Sequence, residues 1–450
     1  MGDSIKKVFA PIGEAITRGD WKTRVSILIL GFGQLLRGQI LKGLAFLAME
    51  AAFIWYIADF GGKYVSKLST LGTVATQKVG RKTVYGDNSF LILLFGVLTV
   101  FVIMAFILVW YLNIKDNLEA ERLLKAGKKL PSNREVFASL FDKNFDKTLL
   151  ALPVTGIFVF TVLPIVFMIC VAFTNYDKNH LAPTNLFTWV GFRNFQKLLS
   201  FGASGIGRTF VTVLAWTLVW AFFATFIDYF LGLAVAMLIN KKGVKFKKLW
   251  RTILVLTIAV PQFVSLLYIM KLFANDGLIN GYLMKWGWIN SPIQFWVDPM
   301  LARITIIVVN IWIGIPYMML IATGLLMNIP EDLYESARID GANGWQMFKS
   351  ITLPYILFIT GPFLLTQFIN NLNNFNVIYL LTQGKPLSVN LAENAGNTDL
   401  LVTWLYKMTV TDTNYSMAAA IGIMVFIVTA VVSLAAYNAL PSVKDEEGFQ

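Results

Sequence analysis

The sequence is poor in the residues that build disulfide scaffolds and metal centres. Its 450 residues include one cysteine, Cys170, and one histidine, His180. A single cysteine excludes an internal disulfide and a thiolate metal cluster. A single histidine cannot build a zinc site from several imidazoles. We therefore expect no metal in this chain.

Two motifs of enzymes are also missing. The sequence contains no Gly-rich loop that ends in Lys-Ser or Lys-Thr, the pattern that cradles nucleotide phosphates. It contains no His-Glu-x-x-His pattern of a metalloprotease. These absences predict that the chain is not an enzyme, that it does not itself hydrolyse ATP, and that it holds no cofactor of its own.

Charge is scarce as well. Only 14% of the residues are charged and 56% are hydrophobic, whereas soluble domains average about 25% charged residues. The mean hydropathy is +0.64, and many apolar runs reach the length of about 18 residues that spans a bilayer. We predict an all-α, polytopic membrane protein surrounded by lipid. The net charge of +12 does not require nucleic acid, because basic residues beside membrane spans set their orientation.

Eight apolar stretches predict about eight transmembrane helices. They cover residues 40–59, 89–113, 148–173, 209–239, 252–272, 301–328, 353–381 and 416–438. Pro261 interrupts the fifth. Residues 25–36 are apolar but too short to span, so we expect them to lie in the interface or to re-enter. The predicted organisation is an N-terminal region at residues 1–147, a third span with a short outer loop at 148–207, a core of further spans at 208–440 and a cytoplasmic tail at 441–450.

One basic run gives the orientation. Its members, with no acidic residue among them, are Lys241, Lys242, Lys245, Lys247, Lys248 and Arg251. Such a run is typical of a cytoplasmic loop. Eight spans then place both termini in the cytoplasm, together with residues 114–147 and 330–354. A second basic group opposes this orientation, because the eight spans place it on the extracytoplasmic side of the membrane. Its members are Lys63, Lys67, Lys78, Arg81 and Lys82.

Residues 330–354 are polar and lie between two apolar stretches, and we call them the elbow. Pro330 suits a first helical position. Two acidic residues follow it, and negative charge is stabilising at the start of a helix, where the helix dipole is positive. Gly341 can adopt a positive φ and end that helix. Asn343 and Gln346 form the pattern of a capping box that starts another. The elbow therefore predicts a helix, a turn and a second helix.

The elbow resembles the EAA loop of bacterial ABC importer permeases. The resemblance is carried by Glu335-Ser336-Ala337, by Gly341 four residues later, and by Ile-Thr-Leu-Pro at residues 351–354. Ser336 stands where that family usually has alanine, and both residues are small. The resemblance implies a cytoplasmic coupling helix that docks in a cleft of an ATPase subunit. The coupling residues it implies are Glu335, Ser336, Ala337, Asp340 and Gly341.

Two predicted spans carry polar side chains that lipid disfavours. In the sixth, Asn310, Gly314 and Tyr317 share one helical face. In the seventh, six amides fall within ten residues: Gln367, Asn370, Asn371, Asn373, Asn374 and Asn376. Amides donate and accept hydrogen bonds at once, which suits an uncharged ligand rich in hydroxyls. The alternative is that they only bond across helices; we favour a substrate pathway.

From about residue 251 to residue 444 the chain resembles the maltose/maltodextrin permeases of ABC transporters, most clearly at residues 310–319, 371–375 and 380–386. The resemblance implies the type I importer fold in a bacterial inner membrane, a second permease subunit, two ATPase subunits that hold ATP and Mg, and an extracytoplasmic sugar-binding protein. The residues it implies for the sugar site are Asn310, Ile313, Gly314, Tyr317, Asn371 and Asn374. Gln367 and Asn370 fall at two further lining positions, where their residue types differ from the family pattern.

Other functions stay open on the sequence alone. A permease of the same family for another sugar or for glycerol phosphate fits the same motifs. A secondary transporter driven by an ion gradient wants buried, paired charges, and only Glu50 and Asp228 are candidates. For Glu50 we expect a packing or interface role, with no partner visible. Asp228 is either a polar contact inside the bundle or an interfacial cap.

Overall fold

The computed structural model describes residues 2–200, 205–241 and 243–440, most of them helical. Lys242 of the basic run and the predicted tail 441–450 lie outside the described residues. The chain divides into two compact units, Met1–Gly191 and Phe192–Gln450, and each is described by itself.

The first unit consists of helices and one small hairpin. Its helices are α1 (Gly2–Thr17), α2 (Trp21–Val25), α3 (Phe32–Leu36), α4 (Ile40–Tyr56), α5 (Gly62–Val65), α6 (Ser89–Lys125), α7 (Asn133–Phe141), α8 (Phe145–Ile157) and α9 (Leu163–Ala172). Single π-helical turns join α4 to α5 and α8 to α9, so each pair forms one continuous span. Strand β1 (Gln77–Val79) pairs antiparallel with β2 (Lys82–Val84).

Helix α6 extends well beyond the predicted second span. Its 37 residues give a length of about 55 Å at 1.5 Å per residue, almost twice the hydrocarbon thickness of a bilayer. The side chain of Asn88 caps its start by accepting from the backbone N–H groups of Phe90 and Leu91. The second half contains neither proline nor glycine, so nothing in residues 114–125 stops the helix. The predicted connector 114–147 therefore begins as a continuation of the span.

Helices make up most of the second unit in its described residues, with longer non-helical segments at residues 286–298 and 382–400. Its helices are α10 (Arg193–Leu199), α11 (Ile206–Phe222), α12 (Asp228–Asn240), α13 (Lys247–Ala259), α14 (Gln262–Leu272), α15 (Leu278–Lys285), α16 (Pro299–Leu326), α17 (Glu331–Ile339), α18 (Gly344–Met347), α19 (Leu353–Leu372), α20 (Phe375–Leu381), α21 (Leu401–Val410) and α22 (Tyr415–Ala439). π-Helical turns at Phe223–Ile227 and Phe348–Thr352 join α11 to α12 and α18 to α19.

The prediction of about eight spans is confirmed, with one of them bent. Seven helical stretches in the described ranges are long and apolar enough to cross a membrane, and α13 with α14 makes an eighth. These two helices meet at 90°, at Pro261. Proline has no backbone N–H and disfavours helical geometry in the residue before it, which accounts for the break.

Close packing of α12 on α16 organises the core of the second unit. A Cβ atom on Gly232 would lie 2.4 Å from the Cβ of Met318, so glycine is needed for this approach. One turn earlier on each helix, Asp228 faces Gly314. Because both contacts advance in the same direction along the chain, the two helices are parallel. Their C-terminal ends, Asn240 and Leu326, therefore lie at the same end of the unit.

Candidate functional site

The first helix of the elbow starts and stops where local chemistry dictates, with one correction. Helix α17 begins at Glu331, and Pro330 is the residue before it rather than its first residue, since its ψ of 131° is not helical. Gly341 has φ +79°, a left-handed conformation that glycine adopts without steric cost. The backbone N–H of Ala342 then donates to the carbonyl of Ala337 at 2.8 Å, which closes the helix end.

The second half of the elbow is capped and tied back to the bundle. Asn343 Oδ1 accepts from the backbone of Gln346 at 2.9 Å, and Gln346 Oε1 accepts from the backbone of Asn343 at 2.8 Å, so the predicted capping box is confirmed. The hydroxyls of Tyr334 and Thr352 are 2.8 Å apart. This contact links α17 to the residue that precedes α19, so the two halves of the elbow are held together as one rigid segment.

The outer surface of the elbow mixes charge with apolar side chains. Four of the five predicted coupling residues are exposed, and Ala337 is half-buried. Ile339 is 86% exposed and Trp345 is 69% exposed, although the surrounding surface is polar. The exposed surface of the elbow therefore combines charged groups with two large apolar side chains.

A cleft of about 910 Å³ lies between the elbow and the end of α12. Its lining includes Asn240, Lys241, Pro330 and Tyr334. Lys247 Nζ donates to the carbonyl of Asn240 at 2.9 Å. The basic run and the elbow thus lie at the same end of the second unit, which agrees with the predicted placement of both on one side of the membrane.

The predicted face of α16 meets a carboxylate on α12. Asn310 donates from Nδ2 to Asp228 Oδ2 at 3.0 Å, and Asp228 is only 3% exposed. A Cβ atom on Gly314 would lie 2.0 Å from the same oxygen. Asp228 is therefore a polar contact inside the bundle rather than an interfacial cap. Its other oxygen, Oδ1, is buried and has no hydrogen-bond partner among the described residues.

One amide of the seventh span, that of Asn371, bonds to the π-helical turn between α11 and α12. Asn371 donates from Nδ2 to the carbonyl of Ala224 at 3.1 Å and to Thr225 Oγ1 at 3.0 Å. Trp220 Nε1 donates to the carbonyl of Asn371 at 3.1 Å. Asn374 donates to Asn371 Oδ1 at 3.4 Å and caps α20. In this state Asn371 joins α19 to α11 and to the π-helical turn that follows it, whereas Asn374 bonds locally, to Asn371 and to the start of α20.

The remaining predicted site residues differ in their surroundings. Ile313 packs against the hydrophobic cluster around Trp220. Gln367 is half-buried and Asn370 is exposed. Tyr317, predicted to share a face with Asn310, is 45% exposed. Their role in substrate binding stays a prediction.

Sequence reasoning did not foresee that the middle of the fourth span joins the two polar faces. Thr225 contacts Asn371, and Asp228, one turn later, contacts Asn310. The carboxylate in an apolar run was a visible signal, but its partner was not. Thr225 gave no signal, because a threonine in a span is unremarkable by residue type.

The segment between α20 and α22, which falls between two predicted spans, folds around a buried ion pair. Asp399 is fully buried and pairs with Lys407. Burial raises the pKa of the Asp399 carboxyl, although the Lys407 ammonium and the N–H of Gly396 act in the opposite direction. Trp216 on α11 donates to the carbonyl of Thr398 at 3.2 Å, so this loop is anchored to the spans.

Comparison with known proteins decides the family. The sequence model described as "Binding-protein-dependent transport system inner membrane component" matches residues 228–445. The maltodextrin transport system permease protein MdxF of Bacillus subtilis is 34% identical over 441 residues, covering 96% of this chain and 98% of MdxF. This chain belongs to the binding-protein-dependent transport permeases. It is an integral membrane component of that family, as the elbow and the spans predicted.

Two further relatives are named for galactooligosaccharides and for maltose/maltodextrin. The galactooligosaccharides transport system permease protein GanP of Bacillus subtilis is 35% identical, covering 93% of this chain and 97% of GanP. The maltose/maltodextrin permease MalF of Escherichia coli is 34% identical over 264 residues, only 58% of this chain and 50% of MalF.

A solved structure supports the fold. One chain of a bacterial alginate ABC transporter, in complex with an alginate pentasaccharide-bound periplasmic protein, aligns with a TM-score of 0.55 and 23% identity. The alignment covers 68% of this chain and 97% of that chain. The predicted importer permease fold is confirmed. Among the described residues, no group of three or more His, Cys, Asp or Glu side chains could hold a metal ion.

Proposed function

We propose that this permease carries maltodextrins across the bacterial inner membrane as one subunit of an ATP-driven importer. The observation that carries the proposal is the amide-rich centre of the second unit, where Asn310 lies beside Asp228 and Asn371 beside Thr225. Amides suit sugar hydroxyls because each can donate and accept. The 34% identity to a maltodextrin permease, which covers 96% of this chain, supports the same substrate class.

The proposed sugar site lies where α12, α16 and α19 meet. Its lining residues are Asn310, Ile313, Gly314, Tyr317, Gln367, Asn370, Asn371 and Asn374. Asn310 is held by Asp228 and Asn371 by Thr225, so the site is closed on itself in this state. Separation of the helices would release these donors to sugar hydroxyls, and the unused Oδ1 of Asp228 would supply a further acceptor.

In this proposal, a separate ATPase subunit drives transport. It is present in two copies and binds ATP and Mg. The elbow would dock on it through Glu335, Ser336, Ala337, Asp340 and Gly341, on the cytoplasmic side with both termini. The elbow follows α16, which carries Asn310, and leads into α19, which carries Asn371. Force on a braced elbow would therefore move both walls of the site together. A second permease subunit and an extracytoplasmic sugar-binding protein complete the proposed machine.

A second candidate substrate is a galactooligosaccharide. GanP is as similar to this chain as MdxF is. Both sugars present uncharged hydroxyls, so the amide cluster alone does not distinguish them.

Uptake of radiolabelled sugars tests the proposal. Cells that express the permease with its partner subunits are offered maltotriose, a galactooligosaccharide and glycerol phosphate, with the ATPase present or deleted. We expect maltotriose uptake that disappears with the ATPase. Uptake of the galactooligosaccharide alone would show that it, rather than a maltodextrin, is the substrate. Uptake that survives loss of the ATPase and is abolished by a protonophore would show an ion-coupled transporter instead.

A further inference from the structure

Residues 21–39 of the first unit, which we call the hook, have an inverted polarity. The hook comprises α2, α3 and the turns around them. Its polar side chains point inward: Thr23, Ser26 and Gln34 are buried, and the side chain of Arg37 is 1% exposed. Leu28, by contrast, is 80% exposed. A segment in water places its apolar side chains inward, so this pattern indicates apolar surroundings.

One face of α6 forms hydrogen bonds to most of the inward polar groups, although Gln34 Oε1 and Arg37 Nε are buried without a hydrogen-bond partner among the described residues. Asn117 Nδ2 donates to Ser26 Oγ at 2.9 Å, and Arg37 donates to Asn117 Oδ1 at 2.6 Å. Thr23 Oγ1 donates to Glu121 Oε2 at 2.9 Å. Asn117 and Glu121 are one helical turn apart, so a single stripe of α6 binds the hook.

The irregular backbone at the tip of the hook is also satisfied by side chains. The N–H of Leu30 donates to Glu50 Oε2 at 2.9 Å, and the N–H of Gly31 donates to Asn113 Oδ1 at 3.1 Å. Trp110 Nε1 donates to the carbonyl of Ile27 at 2.8 Å. Non-helical backbone is tolerated at membrane depth only where protein groups satisfy it in this way. These bonds also give Glu50 the partner that the sequence did not reveal.

The partners of the tip place it inside a leaflet. Glu50 lies eight residues beyond Lys42 on α4, which is about 12 Å at 1.5 Å per residue. Half of the hydrocarbon core is about 15 Å thick. Lys42 is paired with Asp116 of α6, and these charged groups mark the membrane boundary. The tip therefore lies deep in one leaflet.

We propose that the hook is a re-entrant element whose outer surface is covered by lipid acyl chains. It enters from the side on which the C-terminal end of α6 lies. Its exposed apolar surface continues onto the exposed side of the first span, through Ile40, Leu41 and Leu44. Lys22 and Arg24 lie beside Trp21 where the hook begins, and cations and indole rings suit lipid headgroups.

Spin labels test the proposal, with the full chain in lipid nanodiscs and Cys170→Ser as the background. The label is placed at Leu28→Cys, and Ile29→Cys repeats the measurement if the first variant expresses poorly. Phe160→Cys on the third span is the lipid reference, and Val79→Cys in the hairpin is the water reference; all are exposed. Collisions with oxygen report lipid, and collisions with a water-soluble nickel chelate report water.

We expect the Leu28→Cys label to match Phe160→Cys, with high oxygen and low nickel accessibility. A label that matches Val79→Cys would place the hook in water and overturn the proposal. A label shielded from both reagents would show that protein rather than lipid covers the hook, and would equally overturn the proposal. The outcome does not depend on which sugar is carried, so it is separate from the test of transport.

Discussion

The elbow and the amide-rich centre are both polar, but they use their polarity in opposite ways. The elbow satisfies its backbone internally, through Gly341 and the Asn343 box, and leaves its charged and apolar side chains exposed. In the centre, Asn310 and Asn371 are each bonded to another helix. The elbow is thus prepared for an outside partner, whereas the centre must break its own contacts before it binds anything.

The largest effect is expected from Gly341→Ala in the elbow. A Cβ atom at φ +79° costs about 1–2 kcal/mol, and this strain displaces the helix end that we propose docks on the ATPase. We expect transport to fall about tenfold or more, since each 1.4 kcal/mol is a factor of ten in binding, while ATP hydrolysis continues. Sugar uptake and phosphate release are measured together in proteoliposomes.

Gly344→Ala is the matched control for that change. Like Gly341, its Cβ would meet nothing within 4 Å, but it does not have a positive φ. Full transport by Gly341→Ala, or an equal loss in Gly344→Ala, would contradict the role given to the elbow turn.

A smaller effect on transport is expected from Gly314→Ala in the centre, because this change acts on helix packing rather than on the proposed contact with the ATPase. The added methyl would lie 2.0 Å from the Asp228 carboxylate, and overpacking of this kind costs about 1–3 kcal/mol. We expect a lower melting temperature and reduced transport. Gly324→Ala on the same helix has open space for its Cβ and should change neither. Equal melting temperatures for the two variants would show that α12 does not pack as described.

A still smaller effect on stability is expected from Asn371→Leu. It removes two hydrogen bonds to the π-helical turn, and such bonds in membranes contribute about 0.6 kcal/mol each, at most about 1.7. We expect a modest loss of thermal stability, with a larger loss of sugar uptake if the amide also binds substrate. Asn373→Leu, whose amide bonds only within its own helix, is the comparison. Unchanged uptake in Asn371→Leu would remove that residue from the sugar site.

The smallest effect is expected from Ser336→Ala in the elbow. Ser336 is exposed, and exposed substitutions change stability by at most about 0.5 kcal/mol. Because alanine is the usual residue of the family at this position, transport should stay at the level of the unmodified permease. A severalfold loss in the uptake assay would mean that the hydroxyl makes a specific contact.

The sequence predicted the elbow well because its signals are local. Turn, cap and helix end are encoded within a few residues of one another, and only the position of Pro330 was wrong, by one residue. The bend at Pro261 was visible for the same reason.

Contacts between distant segments were not predictable in this way. Trp216 and Thr398 are 182 residues apart, and Leu30 and Glu50 belong to different elements. A residue type shows that a polar group needs a partner, but only the packing of helices shows which one. The folded loop around Asp399 was missed for this reason.

The most direct test of the central claim is cross-linking at the elbow. Ser336→Cys in a Cys170→Ser background is treated with a short thiol cross-linker in inverted membrane vesicles that contain the whole transporter. The account predicts a cross-linked product with the ATPase subunit, and a yield of that product that changes when ATP is added. Absence of that product, together with labelling of Ser336→Cys from the outside of intact cells, would contradict it.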